Sequence, residues 1–222
     1  MKTFTILPFS LLFLPVALSS PFELLSKRPI ASHEWARSAS SNQPRANCPA
    51  LLTTGEFEFP HYITQISASE PDTAYGPQYS GVFTPNDIST LFSFDIPASR
   101  ADANCTLEFI FPNQEDLITT GYNISGGGTF VFEGYAPGSC PGPETTFNNQ
   151  PASGPFGAFP AVHMEPGYVY VLDVGPCFVG AGTCVAGKTS TNDTTFTYFQ
   201  DSGDSDKGDC PIGIYTTYSY LS

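Results

Sequence analysis

Four aspartates near the C-terminal end of the sequence are spaced closely enough to suggest a metal site. Asp201, Asp204, Asp206 and Asp209 lie in one segment that also contains glycine. Carboxylate oxygens are the ligands that calcium prefers, so closely spaced acids in a glycine-containing loop predict a weak divalent-cation site. The spacing differs from that of the standard calcium loop, and a solvated acidic turn is the alternative interpretation.

Two histidines are the candidate general bases of the predicted domain. They are His61 and His163. His61 follows Pro60 within a predicted strand, a position that favours a packed or hydrogen-bonded histidine over a catalytic one. The sequence also lacks the Gly-x-Ser-x-Gly motif that positions the nucleophile of many serine hydrolases. We therefore predict no catalytic residue.

Acidic residues on predicted strands keep a second interpretation open, namely a carbohydrate-active hydrolase that uses a pair of carboxylates. The candidates are Glu56, Glu58, Asp95, Glu108 and Glu133. Strand alternation turns such acids toward solvent, which is typical of an ordinary polar surface. The pattern does not identify which two acids would form the pair.

Six cysteines, an even number, predict disulfide bonds in a secreted protein. They are Cys48, Cys105, Cys140, Cys177, Cys184 and Cys210. Cys105 alternates into the predicted core and Cys177 ends a predicted strand, so we expect these two to pair. The other four allow three pairings, and we favour those that join Cys48 to Cys210 or to Cys140. Zinc binding is disfavoured because the sequence has no Cys-x-x-Cys pair.

Three sequons for N-glycosylation predict a glycoprotein. The acceptors are Asn104, Asn123 and Asn192, each followed two residues later by serine or threonine. All three fall at the ends of predicted strands or in predicted loops, as surface sites should.

Tyrosines are concentrated in the last predicted strand and favour carbohydrate as a ligand. Tyr215, Tyr218 and Tyr220 offer flat rings for stacking against sugars. Tyr62, Tyr75 and Tyr79 can contribute to the same kind of surface. The alternative is that these tyrosines simply cover the strands.

The elements that would position these residues are β-strands. Between residues 91 and 111, apolar and polar residues alternate in two runs joined by a polar turn. We expect these runs to form an antiparallel pair that organises the domain, with further pairs across residues 125–128 and 165–167. About nine strands and no helix longer than three turns predict an all-β fold, an antiparallel β-sandwich held by disulfides. A β-barrel is the alternative architecture.

The first 47 residues predict secretion. An apolar run that ends in small residues is typical of a signal peptide over residues 1–19. Residues 20–47 have few strongly apolar side chains and predict a disordered leader, in which Lys27-Arg28 is a candidate convertase site. Residues 48–222 then form one domain. We expect an extracellular or cell-wall protein without a membrane anchor.

The predicted domain is strongly acidic. Residues 48–222 hold 19 Asp and Glu against three basic residues, a formal charge of −16. Such a charge repels nucleic acids and anionic membranes, so neither is expected as a partner. It also keeps a protein soluble in an acidic extracellular medium.

Five motifs, in order along the chain, resemble a known family. They are Phe57-Glu58-Phe59-Pro60-His61, Pro71-Asp72-Thr73-Ala74-Tyr75-Gly76, Phe94-Asp95-Ile96-Pro97, Cys105-Thr106-Leu107-Glu108-Phe109-Ile110-Phe111-Pro112, and Tyr198-Phe199-Gln200-Asp201 with Pro211-Ile212-Gly213-Ile214-Tyr215. Together they resemble the fungal But-type ubiquitin-activating-enzyme-binding protein C-terminal domain family. The resemblance implies an all-β fold, frequent secretion and an oxidised pair of Cys105 and Cys177. It defines no catalytic residue, and the family name implies an intracellular partner that a secreted protein would not meet.

The combined prediction is a secreted, non-catalytic fungal surface or cell-wall-associated binding protein that needs no cofactor. Cell-wall carbohydrate is the first ligand we expect, and an extracellular protein is the second. A further alternative is a secreted effector that engages a host protein, which would show an exposed apolar patch.

Overall fold

The computed structural model describes residues 27–29, 48–177, 180–204 and 207–220, and its fold is nearly all β. The strands are β1 (Lys27–Pro29), β2 (Phe57–Glu58), β3 (Tyr62–Ser67), β4 (Ser80–Phe83), β5 (Ile88–Asp95), β6 (Asn104–Phe111), β7 (Tyr122–Gly126), β8 (Thr129–Tyr135), β9 (Ser153–Ala158), β10 (Val162–His163), β11 (Tyr168–Pro176), β12 (Cys184–Thr191), β13 (Thr194–Phe199) and β14 (Gly213–Ser219). Two short 3-10 turns, Ala98–Arg100 and Gln114–Asp116, interrupt them. Within the described ranges, no helix is long and apolar enough to cross a membrane. The predicted all-β fold is confirmed.

The strands form three antiparallel sheets around one core. The five-stranded sheet has the order β1-β11-β6-β14-β2, the six-stranded sheet has the order β10-β8-β12-β5-β3 with β9 also on β8, and the three-stranded sheet has the order β4-β13-β7. Phenylalanines from all three sheets meet in the core, among them Phe92, Phe109 and Phe196. The sandwich is therefore confirmed. Its strands outnumber the predicted nine because β1, β4, β9 and β12, which are short or rich in glycine and polar residues, show no clear apolar alternation.

Strands β5 and β6 do not pair with each other, although they follow one another along the chain. β5 lies between β3 and β12 in the six-stranded sheet, whereas β6 lies between β11 and β14 in the five-stranded sheet. The predicted antiparallel pair over residues 91–111 is therefore wrong. Phe92 and Phe109 are both buried in the core, so the connection carries the chain across the sandwich and buries two apolar faces against each other.

The other two predicted pairs are wrong for the same reason. β7 belongs to the three-stranded sheet and β8 to the six-stranded sheet. β10 pairs with β8, whereas β11 pairs with β6 and β1. In each case the chain reverses where the turn residues predict it, but the next strand joins a different sheet.

The glycines at the end of β7 and directly after it allow a close contact with the β12–β13 turn. A Cβ atom added to Gly126 would lie 2.1 Å from the carbonyl oxygen of Asp193, and one added to Gly127 would lie 2.2 Å from its Oδ2. Asp193 accepts hydrogen bonds from Thr194 Oγ1 at 2.6 Å and from the backbone N of Thr129 at 3.1 Å. These bonds lower the pKa of the Asp193 carboxyl, and the bond from Thr194 has the largest effect.

An N-terminal arm, residues 48–57, covers the outer face of the five-stranded sheet. Cys48 at its start is bonded to Cys210, and Phe57 near its end lies edge-on to Tyr215 with ring centroids 5.9 Å apart. The apolar contacts of the arm involve Ala50, Leu52 and Phe57 on one side and Ile110, Val169 and Tyr215 on the other. The arm therefore buries an outer face that strand alternation alone would leave in water.

A second segment, residues 136–152, covers the outer face of the six-stranded sheet, and we call it the strap. Cys140 in the strap is bonded to Cys184 at the start of β12. Gln150 Oε1 accepts hydrogen bonds from Tyr135 Oη at 3.2 Å and from Lys188 Nζ at 3.1 Å. The strap therefore makes polar contacts where the arm makes apolar ones.

The third disulfide lies inside the sandwich. It joins Cys105 on β6 to Cys177, directly after β11, and is the pairing that the sequence predicts. The bond between Cys48 and Cys210 is one of the two alternatives left open, and Cys184 takes the remaining partner, Cys140. The described residues contain no free cysteine.

Three residues of the predicted leader belong to the sheet. β1 pairs antiparallel with β11, with Lys27 opposite Tyr170. At these residues the structure differs from the predicted disorder. The predicted signal peptide and the rest of the leader lie outside the described residues, so those assignments stay predictions.

Candidate functional site

The structure places His61 between two acids. Its Nδ1 lies 2.9 Å from Oδ2 of Asp95, and its Nε2 lies 3.7 Å from Oε2 of Glu58. Both ring nitrogens therefore face carboxylates instead of a hydroxyl nucleophile. The other histidine, His163, is exposed on β10 opposite Thr129. Two of the five candidate acids are thus brought to one imidazole, in an arrangement that suits a surface ion pair.

Glu133, another candidate acid, is held in a polar cluster at the strap. Its Oε2 lies 3.0 Å from Lys188 Nζ, and its Oε1 accepts a hydrogen bond from Ser153 Oγ. Burial alone would raise the pKa of Glu133, but the bond from Ser153 and the Lys188 ammonium outweigh it and lower the pKa. A carboxylate kept ionised by a lysine is suited to structure more than to proton donation.

The acidic loop after β13 uses its carboxylates for internal hydrogen bonds. Asp209 is buried and accepts the backbone N–H of Ile118 at 2.7 Å. Thr119 Oγ1 lies 2.7 Å from Asp201 Oδ2 and 2.5 Å from Asp209 Oδ2. Asp204 forms an ion pair with Lys207 at 2.7 Å.

These bonds fasten the loop to the segment that precedes β7. Asp206 lies outside the described residues. Among the described residues, those of the acidic loop included, no group of three or more His, Cys, Asp or Glu side chains is arranged to hold a metal ion. The predicted cation site therefore remains a prediction.

The three tyrosines of the C-terminal strand do not form a stacking surface. Tyr215 is fully buried under the N-terminal arm, and Tyr218 packs into the main core with the Arg100 guanidinium 4.7 Å from its ring centroid. Tyr220 is exposed, and its Oη accepts a hydrogen bond from Arg100 at 2.9 Å. The predicted platform is wrong because Tyr215 and Tyr218 point to opposite sides of β14 and are both covered.

The outer face of the three-stranded sheet lies open to solvent. Strand alternation on β13 buries Phe196 and Tyr198 in the core. It turns Thr195, Thr197 and Phe199 outward. We call the outward residues of the three strands, together with Tyr79 just before β4, the open face. Its members are Tyr79, Ser80, Val82, Asn123, Ser125, Thr195, Thr197 and Phe199. All eight are uncharged, in a domain with a formal charge of −16.

Strand register arranges hydroxyl and amide groups in rows across the open face. Thr197 lies opposite Asn123 on one side and Val82 on the other, and Thr195 lies opposite Ser125. Neighbouring strands lie about 4.8 Å apart and alternate residues about 6.8 Å apart along a strand. The open face therefore presents a regular grid of neutral hydrogen-bonding groups.

An exposed aromatic pair stands at one end of this grid. Tyr79 is 78% exposed and Phe199 is 48% exposed. Their ring centroids lie 6.4 Å apart with an angle of 30° between the planes, and the backbone N–H of Gln200 donates to the carbonyl of Tyr79 at 2.9 Å. Large aromatic rings exposed side by side are a common feature of binding surfaces.

The sequence predicts one member of this pair and misses the other. Tyr79 is among the tyrosines expected to contribute to a stacking surface, whereas Phe199 is not among the candidate residues. The alternation from Thr195 to Phe199 does contain the signal, since it turns Phe199 outward with the two threonines. What the sequence cannot show is that β4 brings Tyr79 beside it.

The predicted glycosylation sites occupy three different places. Asn104 begins β6 and is half-buried, Asn192 is exposed in the β12–β13 turn, and Asn123 is exposed on the open face. Asn123 is therefore the acceptor that shares a surface with the aromatic pair.

Comparison with known proteins gives a family match. The family model described as "Ubiquitin 3 binding protein But2 C-terminal domain" matches residues 58–204. The matched range includes every residue of the open face and ends before β14. No curated protein matches the chain.

Proposed function

Because the chain belongs to the family of the ubiquitin 3 binding protein But2 C-terminal domain, we propose that it is a non-catalytic binding domain that uses the open face as its binding surface. The exposed pair of Tyr79 and Phe199 is the observation that carries this proposal. Large aromatic rings contribute most to binding when a ligand removes them from water. The ligand that suits them best is carbohydrate.

The chemistry of the open face supports a neutral polysaccharide. A pyranose ring has apolar C–H faces that pack on aromatic rings and a rim of hydroxyl groups that exchange hydrogen bonds. The aromatic pair provides the first contact, and Thr195 and Thr197 provide the second. A face without charge also leaves no carboxylate to be stripped of water when a neutral ligand binds.

We further propose that the protein acts outside the fungal cell, at the cell surface or in the cell wall. Three disulfides are consistent with an oxidising compartment, where such bonds form and persist. The predicted signal peptide supports the same compartment. An acidic domain stays soluble there, and it does not attract anionic polymers.

Binding of an extracellular protein is the second candidate. The description of the family names a ubiquitin 3 binding protein, and β7 lies at the edge of the three-stranded sheet, where a strand from a partner can be added. Titration with purified ubiquitin tests the binding that the family description names. Saturable binding of ubiquitin, unaffected by polysaccharide, would favour this candidate over the first.

A sedimentation assay with insoluble polysaccharides tests the proposed function. Purified mature protein is mixed with particulate chitin, β-1,3-glucan or cellulose, and both the bound protein and the released reducing sugar are measured. We expect saturable binding to at least one of these polymers without release of sugar. Absence of binding to all three would overturn the carbohydrate proposal. Sugar release that Glu58→Gln or Glu133→Gln abolishes would identify a hydrolase.

A further inference from the structure

The predicted acceptor Asn123 lies on the open face itself. Asn123 is exposed on β7, with Thr197 of β13 directly opposite. Phe199 is two residues further along β13 on the same face. Strand spacing therefore places Asn123 about 8 Å from Phe199 across the sheet. The first sugars of an N-glycan are long enough to span that distance.

The other two acceptors cannot reach the aromatic pair in this way. Asn192 lies in the turn before β13, and the strand from Thr194 to Phe199 then separates it from the pair by about 17 Å. Asn104 begins β6 in the five-stranded sheet, opposite Pro176 and Ser219. The first sugars of a glycan on either residue would therefore leave the aromatic pair accessible.

We propose that an N-glycan on Asn123 lies across the open face, packs on Tyr79 and Phe199, and competes there with external polysaccharide. The proposal rests on the proposed function, because it assigns the chain's own glycan to the same aromatic surface. A sugar of the glycan and a sugar of the polymer present the same C–H faces to the rings. Since the glycan is attached beside the rings, its effective concentration at the pair is high, and it competes well even with weak intrinsic affinity.

Glycosylation would then regulate the binding surface. Molecules that carry the glycan would have a covered aromatic pair and bind polymer weakly. Molecules that lack it would have a free pair and bind strongly. The occupancy of one sequon, set during secretion, would divide the protein into these two populations.

Ser125 offers a variant that removes the glycan and leaves Asn123 in place. Ser125→Ala destroys the sequon, whereas Ser125→Thr keeps it, and both change the same exposed position on β7. The full chain is secreted from a yeast host that adds N-glycans, and the mass of the peptide that contains Asn123 establishes occupancy. Hydroxyl-radical labelling then measures the accessibility of Tyr79 and Phe199, with exposed Tyr220 as the internal reference.

We expect Ser125→Ala to raise the labelling of Tyr79 and Phe199 several-fold over the wild type and over Ser125→Thr. Asn192→Gln, which removes a distant glycan, should leave this labelling unchanged. Binding to the polysaccharides of the sedimentation assay should rise in parallel for Ser125→Ala alone. Digestion of the wild type with an endoglycosidase should reproduce the effect of that variant.

Two results would overturn the inference. One is an unmodified Asn123 in the secreted wild type. The other is equal labelling of the pair with and without the glycan, as expected if the glycan extends from the edge of β7 into solvent. If labelling changes but no form binds any polysaccharide, the proposed function fails while the covering of the pair by the glycan stands.

Discussion

The outer faces of the two large sheets are covered by other segments, whereas the outer face of the small sheet is exposed to solvent. The five-stranded and six-stranded sheets are each covered outside by an irregular segment tethered by a disulfide, the arm at Cys48 and the strap at Cys140. The three-stranded sheet keeps its open face in water. Covering a face contributes stability through burial, whereas an open face with two exposed rings contributes little. The difference separates the parts of the molecule that hold the fold from the part available to a ligand.

The inner and outer sides of β13 allow the strongest test of this separation. Phe196 is buried and has ring contacts to Phe111 at 5.2 Å and Phe130 at 5.7 Å. We expect Phe196→Ala to lower the free energy of unfolding by about 3–5 kcal/mol because it leaves a cavity. Phe199→Ala, on the outer side of the same strand, should cost about 1 kcal/mol at most. Urea denaturation measures both, and equal losses would contradict the division between the two sides.

The disulfides of the arm and the strap sharpen the comparison between the two covered faces. Cys48–Cys210 closes a separation of 162 residues and Cys140–Cys184 one of 44. We expect the double serine variant of either pair to lose about 2–5 kcal/mol, with about 1 kcal/mol more lost at the arm because its loop is longer. Thermal unfolding of the two variants gives the order. A larger loss of stability in the strap variant would contradict this order. It would show that the polar contacts of the strap depend on the Cys140–Cys184 bond more strongly than loop length alone predicts.

Acid should weaken the fold without changing the open face. Asp87, in the β4–β5 turn, accepts hydrogen bonds from Ser67 Oγ at 2.6 Å and from the backbone N of Ser69 at 3.0 Å, and these lower its pKa from 3.8. A pKa that is lower in the folded state contributes stability above about pH 4, which is lost as the pH falls through the folded value.

We therefore expect the melting temperature to decrease as the pH is lowered below about 4. The difference between the wild type and Asp87→Asn should shrink over the same range, as followed by scanning fluorimetry. A difference that grows on acidification would contradict the assigned bonds. Because the open face has no carboxylate, ligand binding should stay constant down to the pH at which the protein unfolds.

Strand positions could be predicted from the sequence, but strand partners could not. The alternation in β6 and β13 predicts which side chains are buried, and this holds for Phe109 and Phe196. The turns after β5, β7 and β10 are also at the predicted places. Turn residues specify a chain reversal, however, and do not specify whether the next strand continues the same sheet or crosses to another. The choice depends on how the aromatic faces pack across the core.

The candidate site was harder to predict, because coverage is a tertiary property. By alternation alone, Tyr215 and Phe199 look equivalent, since each is an aromatic residue on the outward side of a strand. The arm then buries Tyr215, and no comparable segment of the described chain covers Phe199. Of the predicted stacking residues, Tyr79 remains on the open face because it directly precedes β4, which pairs with β13 and not with β14.

Loss of polysaccharide binding on truncation of the aromatic pair tests the central claim most directly. Tyr79→Ala and Phe199→Ala are compared with controls of the same residue types that are exposed elsewhere, Tyr220→Ala and Phe147→Ala. With binding isotherms on the polymer that retains the wild type, we predict at least about a tenfold loss of affinity for the first two and wild-type affinity for both controls. Wild-type binding by Tyr79→Ala and Phe199→Ala, or a loss confined to Tyr220→Ala, would contradict the assignment of the open face as the binding surface.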